Sequence, residues 1–260
     1  MIILVLSVAV FCFFWLLTMR ISTFLLTAIL CAPNFVAADI VVLNPSQDNT
    51  IYQDSPGNSN GSGDFVFAGQ NGGASPRRGL TQFDLSAIPT GATITGVTVN
   101  MFASQVSSTD ASDVSFHRLL SAWGESTSDA NGGEGGGIAA ATGDATWTNT
   151  FFDSQFWTTE GGDFISTASA TTSVSTTGAY SWSSPGLIDD VQGWLDGSIA
   201  NFGWIAVGNE TTASTAKRFN SRSNSSNNPT LTVEFTAVPE PASACVLAVG
   251  AMGLLIRRRR

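Results

Sequence analysis

The 260-residue chain carries one histidine, His117. A Ser-His-Asp nucleophile would have to run through it. His117 lies in an alternating strand pattern, Val114-Ser115-Phe116-His117-Arg118, rather than at a loop apex, so nucleophilic catalysis has little to rest on. Paired carboxylates could serve glycosidase or lyase chemistry. Asp189-Asp190, Glu125, Glu134 and Glu160 are the acids to weigh, but nothing in their spacing marks one as a raised acid and another as its ionised partner. Calcium chemistry asks for oxygen ligands on loops. Asp129, Asn131, Glu134 and Asp144 cluster around the run Gly132–Gly137, and Asp48, Asn49 and Asp54 cluster near the first strands; each cluster reads either as a calcium site or as a solvated loop. The glycine run lacks the Lys-Ser/Thr of a phosphate loop.

Aromatic and basic residues are the ligand-binding candidates. Sugars stack on aromatic rings, with polar groups fixing their orientation. Trp147, Trp157 and Tyr180 lie amid Ser, Thr and Gly, as do Trp123 and Trp182, whereas Trp194 and Trp204 belong to apolar patterns and read as core. Arg77, Arg78, Lys217, Arg218 and Arg222 fall in two short stretches. If the stretches meet, they form a cationic patch suited to carboxylated or sulfated sugars. The alternative is that each pairs with nearby acids such as Asp84 and Glu210.

Composition limits the rest. Eleven Lys+Arg stand against 20 Asp+Glu, a formal charge of −9, which excludes a nucleic-acid binder working by charge. The ends differ sharply from the middle. Residues 1–38 are almost purely apolar, with Arg20, an apolar run from Ile21 to about Ala32, and small residues at Ala37-Ala38. They read as a signal peptide cut after Ala38, with Met19 an alternative start and a retained anchor the competing reading. At the other end Val238-Pro239-Glu240-Pro241 precedes the apolar run Ala242–Ile256 and Arg257–Arg260, whose charges stay cytoplasmic. That ordered combination resembles the PEP-CTERM sorting signal, the substrate tag of bacterial exosortases. The resemblance implies residues 238–260 as a transmembrane sorting helix with its motif and Arg tail. It also implies a Gram-negative host, transient anchoring in the inner membrane, processing by signal peptidase and exosortase, and release to the envelope surface or extracellular matrix.

Without its ends, residues 39–237 keep six bases and 19 acids, a net charge near −13, and none of Cys12, Cys31 or Cys245. An exported domain without disulfides rests on its core and sheet ladders, with structural calcium the one cofactor to consider. Strand patterns recur at Ile40–Leu43, Ile51-Tyr52, Phe65–Phe67, Val97–Met101, Val114–Arg118, Trp204–Val207 and Leu231–Phe235, separated by Gly, Asn, Ser and Pro clusters. One segment is helical. Leu187, Ile188, Val191, Trp194 and Leu195 share a face between Ser184-Pro185 and Gly197, which predicts a helix over Pro185–Asp196. The expectation is all-β: a single jelly-roll β-sandwich with one short helix, flanked by the signal peptide and the sorting helix.

A second resemblance covers roughly residues 48–235. Phe83-Asp84-Leu85-Ser86-Ala87-Ile88-Pro89, Trp123-Gly124-Glu125, Val191-Gln192-Gly193-Trp194-Leu195-Asp196-Gly197, Asn201-Phe202-Gly203-Trp204 and Lys217–Arg222 follow in the order of DNRLRE-type domains, a carbohydrate-binding-module-like group. Ser223 stands where that group commonly has an acid. The resemblance implies a non-catalytic jelly roll that binds polysaccharide. The competing readings are a purely structural matrix or biofilm component and, third, a polysaccharide lyase or hydrolase. Physically, Phe83 and Leu85 can face a core while Asp84 and Ser86 bond backbone at the turn.

Overall fold

The computed structural model describes residues 38–237. They belong to the compact unit Ala37–Val238. The signal-peptide reading up to Ala37 and the sorting-helix reading over 238–260 lie outside the described residues. Among the described residues no helix is long and apolar enough to cross a membrane.

The unit is mostly β. Its strands are β1 (Ala38–Leu43), β2 (Pro45–Tyr52), β3 (Asn58–Ser59), β4 (Phe65–Gln70), β5 (Pro76–Phe83), β6 (Thr93–Val106), β7 (Ser112–Arg118) and β8 (Ile138–Ala139). Then come β9 (Asn149–Phe151), β10 (Gln155–Phe156), β11 (Ala170–Val174), β12 (Gly178–Ser183), β13 (Trp204–Val207), β14 (Lys217–Asn220) and β15 (Thr230–Thr236). Every strand run expected from the sequence falls in one of these. Eleven strands pair antiparallel into one sheet that curls on itself. One group holds β1, β15, β6, β12, β14 and β4; the other holds β2, β5, β13, β7 and β11. β4 belongs to both, pairing with β14 through Phe65–Ala68 and with β5 through Gly69-Gln70.

The core lies between the two groups. Along β6 the buried residues alternate, with Val97, Val99, Met101 and Ala103 inside, because side chains on a strand point to opposite faces in turn. Trp182 of β12 meets Phe116 of β7 at 5.2 Å between ring centroids and Phe219 of β14 at 5.8 Å, both edge-on, a favoured aromatic geometry. Outward residues of the second group, Ile51, Leu80 and Ile205, form another apolar cluster with Trp123, Trp147 and Trp157 of the long β7–β11 connection. That connection therefore covers the sheet instead of hanging free.

The helix α1 (Pro185–Leu195) starts as the sequence predicts: Ser184 Oγ accepts from the Leu187 amide at 3.3 Å and Pro185 occupies the first turn. It closes one end of the core with Leu187, Val191 and Trp194. Its Asp190 is a structural acid. One carboxylate oxygen accepts from Ser169 Oγ at 2.5 Å and Trp204 Nε1 at 2.8 Å, and the other meets Arg118 Nε at 2.9 Å. Asp84 is structural too: exposed, it accepts from the Ser86 amide and hydroxyl, each at 2.9 Å. Those two bonds hold its carboxyl below the usual range.

Candidate functional site

A groove of about 610 Å³ opens on the outer face of the sheet beside β4 and β14. Strand alternation builds its floor. On β14, Lys217 and Phe219 turn inward, so Arg218 turns out; on β4, Val66 is inward and Phe65 and Phe67 lie on the opposite face. The Arg218 guanidinium sits 3.8 Å from the Phe65 ring centroid, a cation–π stack, and its Nε donates to Ser104 Oγ at 3.2 Å. Burial lowers its affinity for the proton, against the pull of Glu134. Among the described residues, Lys217 and Arg218 are the two basic side chains without a carboxylate partner, and Lys217 is fully buried. Arg218 is therefore the one partly exposed, unneutralised cation, and it lines the groove.

The glycine run forms the other wall. Glu134, buried, accepts from the amides of Asp64 (3.1 Å) and Phe65 (2.9 Å) and from Asn60 Nδ2 (2.7 Å). Tyr52 donates its hydroxyl to the Glu134 carbonyl at 3.0 Å. Gly137 has φ +62°, and a Cβ there would lie 2.5 Å from the Tyr52 ring, so both the turn and the close approach require glycine. The loop is thus pinned over β4, with the Arg77 side chain beneath donating to the Gly135 carbonyl.

The other basic candidates are neutralised. Arg77 is buried and reaches Asp54 at 3.3 Å. Arg78 makes two 2.7 Å bonds to Glu210 and lies 4.8 Å from the Trp147 ring. Arg222 forks onto Glu125. Lys217 donates to the carbonyls of Ser108 (2.9 Å) and Asp110 (3.3 Å), and burial lowers its pKa, opposed by Tyr180 and Asp110. The two basic stretches do approach each other, because Arg77 and Arg218 line one groove, but among the described residues pairing leaves only Arg218 free to meet an anion.

The aromatic candidates go mostly to the interior. Trp147 and Trp157 are each 5% exposed, and Trp157 Nε1 donates to the Thr146 carbonyl at 2.8 Å. Trp123 and Trp182 are buried as well. Tyr180 is half-buried; its hydroxyl bonds to Thr176 and Ser175, and the Thr176 contacts bring its pKa down to about 8. Sequence reasoning passes over the aromatics that line or floor the groove, Phe65 and Phe67; their i, i+2 spacing beside Val66 is the signal that they share the outer face.

The calcium candidates do not converge. Among the described residues no group of three or more His, Asp or Glu is placed to hold a metal. Asp54 is tied to Arg77 and Asn71. Both Asp144 oxygens accept backbone amides, from Ser126 at 2.5 Å and Ala141 at 2.9 Å. Asp129 is exposed. Asp48 is 1% exposed on β2, where its Oδ2 accepts from the Arg222 amide at 2.6 Å and burial raises its pKa to about 7. Glu125 accepts from the Asp48 amide at 3.0 Å, and burial raises its pKa too.

His117 bonds through Nδ1 to the Ile165 carbonyl at 2.9 Å, while Ser115 Oγ pairs with Thr171 at 2.8 Å. Gly57-Asn58-Ser59-Asn60-Gly61 matches the Gly-x-Ser-x-Gly spacing, a match the sequence reading overlooks. Ser59 is fully buried and its hydroxyl donates to Asn49 Oδ1 at 2.9 Å, so it fastens β3 to β2.

With this geometry in place, comparison with known families supplies the address. The PEP-CTERM protein-sorting motif matches residues 237–260. The chain therefore carries a C-terminal sorting signal of the kind that marks exported, exosortase-processed proteins. Comparison with curated proteins gives no match.

Proposed function

We propose that the chain is exported, trimmed at both ends, and acts at the cell surface or in the extracellular matrix as a non-catalytic polysaccharide-binding protein built on a jelly-roll sandwich. The sorting motif supports export and trimming. The order of the DNRLRE-like motifs supports the jelly roll and the sugar. The observation that carries the binding reading is Arg218: an unneutralised guanidinium stacked on Phe65, lining an open groove between its cross-strand neighbours Phe67 and Gln105, with Asn131 on the wall of the glycine run. A carboxylate on an acidic sugar would take Arg218 as a charge-assisted partner, while the apolar face of the ring would rest on Ile138, which is exposed in the groove. The second reading, a structural matrix component without a discrete ligand, is favoured by the pairing of Arg77, Arg78, Arg118 and Arg222 with internal acids.

Affinity electrophoresis through gels containing polygalacturonate or neutral dextran tests the binding reading. Polygalacturonate should retard the protein and dextran should not, and Arg218→Glu should weaken retardation by about tenfold or more. Equal mobility of the parent and Arg218→Glu in polygalacturonate would leave the structural reading standing.

A further inference from the structure

The free edge of the sheet carries an observation that neither processing nor sugar binding uses. Among the described residues β1 pairs on one side only, with β15, from Ala38 opposite Thr236 to Leu43 opposite Leu231 without a bulge. Val41 and Leu43 pack against the core. Ile40 and Val42 point the other way and are 65% and 60% exposed. Natural edge strands are normally blunted by lysine, proline, a bulge or extreme shortness. β1 has six residues, Ala-Asp-Ile-Val-Val-Leu; its one charged side chain, Asp39, stands near the start and leaves Ile40–Leu43 unblunted.

We propose that the β1 edge is a self-association surface, and that its partner is β1 of a second copy of this chain, paired antiparallel about a two-fold axis through Val41. The register follows from the side chains. With Val41 opposite its own mate, Ile40 of each copy faces Val42 of the other, so both exposed apolar residues are covered together. Directly opposed β-branched pairs of this kind are the stabilising unit of a sheet. The same register sets Asp39 against Leu43, keeping the two Asp39 carboxylates apart, together with the ammonium that cleavage after Ala38 leaves on each. Centring on Ile40 would set Val42 against Ala38, and centring on Val42 would set Ile40 against Asn44; neither covers both side chains with a β-branched partner. An isologous contact closes as a dimer.

The pair is weak by construction. Six-residue edges bury far less than the roughly 1,200 Å² at the lower end of stable interfaces, and two copies each near −13 in net charge repel. Dimerisation should therefore rise with protein concentration and with salt, conditions under which a protein accumulating in a matrix would associate. The inference does not depend on the groove binding a sugar.

Sedimentation equilibrium on the compact unit Ala37–Val238, whose core is closed by its own strands, tests it. The unit contains no cysteine, so Val41→Cys offers a register-specific trap: oxidation should give a covalent dimer, whereas Asp39→Cys and Leu43→Cys, which oppose each other and not themselves, should give far less. Val42→Lys should leave the unfolding temperature close to the parent's and shift the monomer–dimer equilibrium about tenfold or more toward monomer, because it replaces both Ile40–Val42 pairs with lysines and adds like charges across the edge. A unit that stays monomeric into the millimolar range in high salt would overturn the proposal. So would a dimer indifferent to Val42→Lys, or equal cross-linking by all three cysteine variants.

Discussion

Asp190→Ala should lower the stability of the domain by about 3–5 kcal/mol, the cost of removing one partner from a buried ion pair. For a domain of this size that is about 10 °C in unfolding temperature, readable by calorimetry. The carboxylate serves three elements at once: Arg118 at the end of β7, Trp204 on β13 and Ser169 before β11. Deleting it leaves the Arg118 guanidinium without its carboxylate and the Trp204 indole N–H without an acceptor beneath Trp194, whose ring is 4.5 Å away. Asp190→Asn keeps an acceptor and should lose less. A drop under 1 kcal/mol for Asp190→Ala would mean that solvent reaches the network and that α1 is not fastened by it.

Stability should also fall as pH rises from about 4 to about 8, and Asp48→Asn should flatten much of that slope. Burial raises the folded-state pKa of Asp48 from 3.8 to about 7, with Glu125 adding to the rise and the Arg222 amide opposing it. A carboxyl whose pKa is raised on folding binds more proton in the folded state than in the unfolded chain between those two values. Each step up in pH across that window therefore costs stability, and the full effect is about 4 kcal/mol. Glu125, raised as well, acts in the same direction. The geometry agrees: Asp48 Oδ1 and Thr81 Oγ1 are both buried without a hydrogen-bond partner, and both residues line a cavity of about 10 Å³. In Asp48→Asn the carbonyl can keep the Arg222 amide while the Nδ2 donor faces the cavity that Thr81 shares. Denaturant unfolding at pH 5 and pH 8 should show the parent losing stability between them and the variant losing distinctly less; parallel losses would place the titration elsewhere.

The strands were legible where hydrophobic alternation is clean. Val97–Met101 and Leu231–Phe235 bury every second residue and signal it, while Trp204–Val207, covered on both faces, reads as a continuous apolar run. The helix was legible because Ser184, Pro185 and Gly197 mark both its ends. β2 was only half legible. Its Asp48, Asn49 and Thr50 resemble loop ligands by type, yet all three are buried in a strand. Its side chain accepts from the nearby amides of Thr50 and Asn60, but the acceptors that hold its Nδ2, the Gly124 and Ala145 carbonyls, are long-range. A buried polar group is tolerated when such partners exist, and partners about 75 or more residues away leave no local pattern. The same limit applies to the site. The clustering of Arg77-Arg78 and Lys217–Arg222 is visible in the sequence, but which cation stays unneutralised depends on where Glu125, Glu210 and Asp54 end up. Trp147 and Trp157 looked available because polar residues surround them in sequence; the fold sets them against Ile51, Leu80 and Ile205.

Export should trim the chain to the β-rich unit alone, and the intact mass of the protein released by exosortase-competent cells measures this directly. The predicted species begins at Asp39, the first residue after Ala38 in β1, and ends near Pro239-Glu240-Pro241, without Arg257–Arg260. A released protein whose mass includes the arginine tail, or whose N-terminus lies within residues 1–37, would contradict it.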